Sequence, residues 1–213
     1  MKLKYALLAV FGLAATSQAA TVVTTANQST PYTVSATDLI NGLTATSQAG
    51  IFTNEGALGV PALTNGTYVD TTVGSFATGE GGFGNGEFVT YQFATTDISS
   101  VVVYGGWADL GRDALNFSLQ FSTDNGATFG SAILSGLFNP TIPTNTPSAT
   151  RMSVSDNAGN LANGVNAMRV NFLTTENGFS GYSEIDVNAV PEPSSLFLLG
   201  LGSLAAMGIR RRK

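Results

Sequence analysis

Leu115-Asn116-Phe117-Ser118-Leu119-Gln120-Phe121-Ser122 sets four large apolar side chains at alternate positions, with small polar residues between them. A period of two is the mark of a strand that packs one face and shows the other to water. Asp124-Asn125-Gly126 follows, a triplet that tolerates positive φ, so the strand is expected to return through residues 128–134 as a tight hairpin. Weaker copies of the pattern lie on both sides. Val89, Tyr91 and Phe93 alternate within 87–94, Met168, Val170 and Phe172 within 165–174, and Ile185 and Val187 farther on. Residues 100–104 are apolar on both faces and read as a central strand covered on both sides.

Between these runs the composition turns to Gly, Asn and Pro. Residues 139–147 are too proline-rich for regular pairing, and 157–160 form a loop. The glycine-rich stretch 79–86 reads as a flexible loop, and 36–43 as a helical turn. Roughly eight to ten short strands are expected, each with one apolar face that needs a second sheet to cover it. The expected fold is all-β, a two-sheet antiparallel sandwich over residues 21–189, with no internal repeat.

Composition removes whole classes of function. The chain has 9 Lys+Arg and 14 Asp+Glu, but six of the basic residues lie in the two ends. Between residues 21 and 190 only Arg112, Arg151 and Arg169 stand against thirteen acidic groups, which leaves the body at −10. Such a body cannot neutralise a phosphate backbone, so nucleic acid is excluded as a partner. The absence of His and Cys removes Ser-His-Asp and Cys-His catalysis, nearly all zinc, haem and iron–sulfur sites, and disulfide staples. Any metal should be hard and oxygen-bound, with Ca²⁺ the leading candidate.

The two ends are of another kind. Met1-Lys2-Leu3-Lys4 is basic, residues 5–15 are apolar, and Ser17-Gln18-Ala19 is a small-x-small site, so residues 1–20 read as a signal peptide. At the other end Val190-Pro191-Glu192-Pro193-Ser194-Ser195 precedes an apolar run, 196–209, and then Arg210-Arg211-Arg212-Lys213. As a helix that run covers about 21 Å at ~1.5 Å per residue, short of a ~30 Å hydrocarbon slab. An uncut membrane anchor is one reading of it. The tail, residues 190–213, also resembles the PEP-CTERM sorting signal of Gram-negative bacteria that make extracellular polysaccharide, with Pro191, Glu192 and Pro193, the apolar helix and Arg210, Arg211 and Arg212 in order. That resemblance implies an inner-membrane intermediate, cleavage near Pro191–Pro193 by an exosortase-type enzyme, and a final place at the cell surface or in the extracellular matrix.

A second resemblance concerns the body. Leu63-Thr64-Asn65-Gly66-Thr67 is similar to the Leu-x-Asp-Gly-x turn of galactose-binding-like, discoidin-type (factor V/VIII type C) jelly rolls. Residues 88–93 follow as the Tyr-x-Phe strand, then 98–104, Arg112 and the run 117–126. Tyr182-Ser183-Glu184-Ile185-Asp186-Val187 closes the series like the family's Glu-Ile-x-Val strand. The resemblance implies a non-catalytic carbohydrate-binding module. It also implies that the last strand returns beside the early loop, where Asn65, Asp70 and Glu184 would hold a structural Ca²⁺. Asn65 stands where the family has Asp, and the family's frequent cysteine pair is missing.

Trp107, the only tryptophan, admits two readings. It is either a sugar-stacking platform with Asp109, Arg112 and Asp113 bonding hydroxyls, or a cover for the sandwich edge with Arg112 clamped to a neighbouring acid. The carboxylate pairs Asp109/Asp113 and Glu184/Asp186 show no sign of an acid beside an ionised partner. The sequence therefore points to an exported, exosortase-sorted, non-catalytic protein that binds polysaccharide. The alternative is a purely structural or adhesive matrix component without a ligand pocket.

Overall fold

A computed structural model describes residues 21–53, 57–68, 77–80, 87–107, 112–141, 148–173 and 179–191. Nine strands lie within that set: β1 (Thr21–Gln28), β2 (Ser47–Ala49), β3 (Ala77–Glu80), β4 (Phe88–Trp107), β5 (Phe117–Ser122), β6 (Ile133–Leu134), β7 (Ser148–Asp156), β8 (Ala162–Phe172) and β9 (Phe179–Ala189). Val60–Thr64 adds a 3₁₀ turn.

β4 organises the rest. At 20 residues it would reach about 66 Å if straight, at ~3.3 Å per residue, far more than one small sheet needs. Its first part pairs with β2 and β8, and its second with β7 and β9. The ladder to β8 slips between Gln92 and Thr96 and again between Thr96 and Ile98; there the strand leaves one sheet for the other. One sheet runs β2-β4-β8-β5-β6 and the other β1-β7-β4-β9-β3, antiparallel throughout.

A single apolar cluster fills the space between them. Val89, Tyr91, Leu119 and Val170 enter it from the first sheet, and Val101, Val103, Ile185 and Val187 from the second, all fully buried. Ile40 and Leu63 close it from the loops. The alternation seen in the sequence is thus the two inner faces of an all-β, two-sheet antiparallel sandwich.

Several local expectations change. Residues 87–94 and 100–104 belong to one strand, and Thr95-Thr96-Asp97 between them is the crossing between sheets. Residues 100–104 are central, flanked by β7 and β9, although Val102 stays partly exposed. Gly79 and Glu80 belong to β3 and pair with Ser180 and Phe179; residues 81–86 lie outside the described set. Residues 36–43 make successive reverse turns, with Asn41 N donating to Asp38 O (3.4 Å) and Leu43 N to Ile40 O (2.9 Å). The hairpin turn forms where expected, with Asn125 at φ 58 and Ala127 N donating to Asp124 O (3.3 Å). Its return strand is only two residues long, since residues 128–132 are held in a loop, with Gly130 N on Phe121 O (3.0 Å). Residues 1–20 and the tail from Glu192 are outside the described residues. Among the described residues no helix is long and apolar enough to cross a membrane.

Candidate functional site

β9 alternates normally only after a phase shift. The β4–β9 ladder slips between Tyr104 and Gly105, so Tyr182, Ile185 and Val187 all reach the core while Glu184 and Asp186 point to the other face. The loop 36–43 docks against that strand, with Leu39 N donating to Val187 O (2.9 Å) and Val187 N to Asp38 Oδ1 (3.1 Å). Asp38, Glu184 and Asp186 come together as a result. One carboxylate oxygen from each lies within 4.8 Å of the others.

Each carboxylate divides its oxygens in the same way. Asp38 Oδ1 accepts from Ile40 N (3.0 Å) as well as Val187 N. Glu184 Oε2 accepts from Gly66 N (3.2 Å), and Asp186 Oδ2 from Ser35 N and the Tyr104 hydroxyl (both 3.0 Å). The second oxygens, Asp38 Oδ2, Glu184 Oε1 and Asp186 Oδ1, are buried and accept no hydrogen bond among the described residues; so is Asn41 Oδ1. Asn41 lies against the same turn, since a Cβ on Gly66 would sit 2.6 Å from its Oδ1. Gly66 also has φ +69, a conformation that side chains other than glycine and asparagine resist.

Three acids this close resist ionisation. Burial, then the charges of Asp186 and Asp38, push the Glu184 carboxyl up to about 8. Burial likewise raises Asp38 and Asp186, each held back by hydrogen bonds from backbone N–H groups. Three carboxylates this close, each with one buried oxygen that accepts no hydrogen bond among the described residues, form a set that suits a hard cation, and Ca²⁺ takes six to eight oxygens from carboxylates, amide oxygens and backbone.

Glu184 lies in this acidic cluster beside Asp38 and Asp186; of the two residues named with it from the sequence, only Asn65 is among the described residues. Asn65 Oδ1 accepts from Thr67 N (2.8 Å) and Thr67 Oγ1 (2.5 Å), so its side chain braces its own turn and the adjacent Gly66 reaches Glu184. Asp70 lies outside the described residues. Asp186 had a signal in its same-face spacing from Glu184. Asp38 had none, being far away along the chain in an irregular loop.

The second group forms at the C-terminal end of β4, three residues beyond Tyr104. Trp107 is 5 % exposed and Asp113 is fully buried. The Arg112 guanidinium lies over the indole, 4.9 Å from its centroid. Gly181 lets the ring approach β9, because a Cβ there would be 2.8 Å from Trp107 Cε3. Gly181 N donates to Arg112 O (2.8 Å) and Ser180 Oγ to Ala114 O (2.7 Å), which fastens residues 112–114 to the start of β9. Asp109 is outside the described residues. With one face of the indole under an arginine and little of it exposed, the geometry supports the edge-covering reading of Trp107. A cleft of about 170 Å³ between residues 42–48 and the 3₁₀ turn, lined by Leu43, Val60, Pro61 and Asn65 among others, is smaller than the ~300 Å³ at which small-molecule pockets begin.

No curated protein matches this chain. Among solved structures, it is similar to a mutant of the lectin binding domain of Lectinolysin complexed with Lewis b, at 15% identity over 74% of this chain and 99% of that one, TM-score 0.46. It is also similar to the family 32 CBM from C. perfringens NanJ in complex with galactose, at 11% identity over 70% of this chain and 97% of that one, TM-score 0.42. Residues 189–213 match the family described as the PEP-CTERM protein-sorting motif. The chain carries a PEP-CTERM sorting signal, and that signal marks it as an exported protein.

Proposed function

We propose that this chain is a non-catalytic carbohydrate-binding protein of the cell surface or extracellular matrix, delivered there by an exosortase-type enzyme acting at the Pro191-Glu192-Pro193 signal. One observation carries the body's part of this reading. The turn at Asn65-Gly66 and the closing-strand Glu184, two motifs 118 residues apart, meet through the bond from Gly66 N to Glu184 Oε2. The discoidin-type resemblance requires that meeting, and chance similarity of short motifs does not. The reading includes a structural Ca²⁺ held by Asp38, Glu184 and Asp186, with Asn41 Oδ1 in reach of the same turn. When bound, the ion would neutralise the acids and tie the loops 35–41 and 65–67 to β9.

The structural or adhesive alternative draws on the burial of Trp107, which leaves little aromatic surface at that end for a sugar. One experiment separates the two. The full-length chain is run in affinity electrophoresis through gels containing the host's own polysaccharide and a panel of plant and bacterial glycans. Retardation by at least one glycan, lost on adding its oligosaccharide, is expected. Unchanged migration in every gel would leave the adhesive reading in place.

A further inference from the structure

We propose that the outer face of the β2-β4-β8-β5-β6 sheet binds a carboxylate-bearing sugar through Arg169; this rests on the carbohydrate reading above and names its ligand class. Arg169 stands at the centre of that face, with Thr90 and Gln120 directly across on the neighbouring strands. Its Cζ lies 4.3 Å from the Phe88 ring centroid and 4.2 Å from that of Phe129. Both rings therefore lie within cation–π distance of the same guanidinium. Nε donates to Thr90 Oγ1 (3.2 Å). The guanidinium is therefore held by two aromatic rings and a hydroxyl, and its terminal N–H groups form a fork that matches two adjacent oxygens.

Those terminal nitrogens have no hydrogen-bond partner and no acidic partner among the described residues. The surroundings are rigid as well as open. Asn171 Nδ2 donates to Ser118 Oγ (3.1 Å) and Gln120 Oε1 (3.2 Å), and Gln120 Nε2 to Gly130 O (3.0 Å). Gln92 Nε2 donates to Asn125 O at the hairpin tip. These bonds hold the loop bearing Phe129 over the sheet, so the fork exists before any ligand arrives, which limits the ordering cost of binding. A uronate carboxylate fills it with two charge-assisted bonds; a neutral diol offers the same spacing without the charge.

The test uses the full-length chain in affinity electrophoresis and calorimetry against polygalacturonate and a neutral β-1,4-galactan. The unaltered chain should bind polygalacturonate, and R169Q should weaken that binding at least tenfold. R169K keeps the charge but loses the planar fork, and should also bind at least tenfold more weakly, which covers the case in which R169Q is poorly folded. Polygalacturonate binding unchanged in either variant, or galactan bound while polygalacturonate is not, would overturn this site and leave the carbohydrate reading standing. Failure to bind any glycan would overturn both.

Discussion

Glu184 allows a test in which wild type and variant change order. Without metal its carboxyl stays protonated in the folded chain up to a pH of about 8, against 4.5 for an unperturbed group. The unfolded chain loses that proton first, so between these values the folded state binds more protons and stability falls as pH rises. The whole shift corresponds to at most about 5 kcal/mol at ~1.4 kcal/mol per pH unit. Coupling to Asp38 and Asp186 and partial screening reduce this to about 2 kcal/mol. At roughly 2–4 °C per kcal/mol for a body of this size, Tm should drop about 4–8 °C from pH 5 to pH 8 in EGTA. Ca²⁺ at a hundred times its Kd restores about 2.7 kcal/mol, or roughly 5–11 °C, at pH 8. E184Q removes both effects: at pH 8 in EGTA it should melt above the wild type, and with Ca²⁺ below it. Near-UV circular dichroism melts at both pH values, with Mg²⁺ as a control, read the outcome. A wild-type Tm at pH 8 unmoved by Ca²⁺ would refute the argument that the orphaned oxygens are ligands.

Other outcomes follow from the same geometry. G66A should destabilise the chain by about 1–3 kcal/mol in urea unfolding, since φ is +69 and the new Cβ meets Asn41 Oδ1; an unchanged midpoint would show that the turn relaxes freely. L119A, at a fully buried core position, should cost about 2–5 kcal/mol by the same assay. Trp107, with 5 % exposure, should emit at short wavelength and resist acrylamide, and W107A should lose roughly 3–5 kcal/mol whether or not sugar is present. Replacing Pro191, Glu192 and Pro193 by alanine in the native host should leave a longer, membrane-associated form in fractionation blots, and normal processing would detach the signal from those residues.

The sandwich was legible because its inner faces obey a strict period of two, and because Asn125 sits where a positive φ is needed. What hid was continuity. Thr95-Thr96-Asp97 is polar, because a strand that changes sheets there has no apolar face to declare. β3 hid for another reason: Ala77-Thr78-Gly79-Glu80 carries no large apolar side chain, and its pairing with β9 is backbone chemistry. At the site, Glu184 was found through its strand motif. Asp38 belongs to the cluster only because backbone bonds fold residues 36–43 onto β9, a tertiary fact with no local pattern. Trp107 and Arg112 were named together from one stretch of sequence, though not as a cation over a ring, whereas the contacts of Arg169 with Phe88 and Phe129 join three segments that only the register of β4 with β8 and the folded hairpin loop bring together.

The placement of these sites relative to the tail follows from strand direction. β4 and β9 are antiparallel, with Ile98 opposite Ala189 and Gly105 opposite Tyr182, so about 23 Å of strand at ~3.3 Å per residue separates the end bearing Trp107 from the end where the chain leaves. The exit is held by the fold: Val190 N donates to Asp97 O (2.8 Å), and the sorting motif begins at residue 189, within the last strand. No free linker intervenes between body and signal. Asp97 therefore lies beside the start of the sorting motif, and Trp107 at the far end of the same ladder.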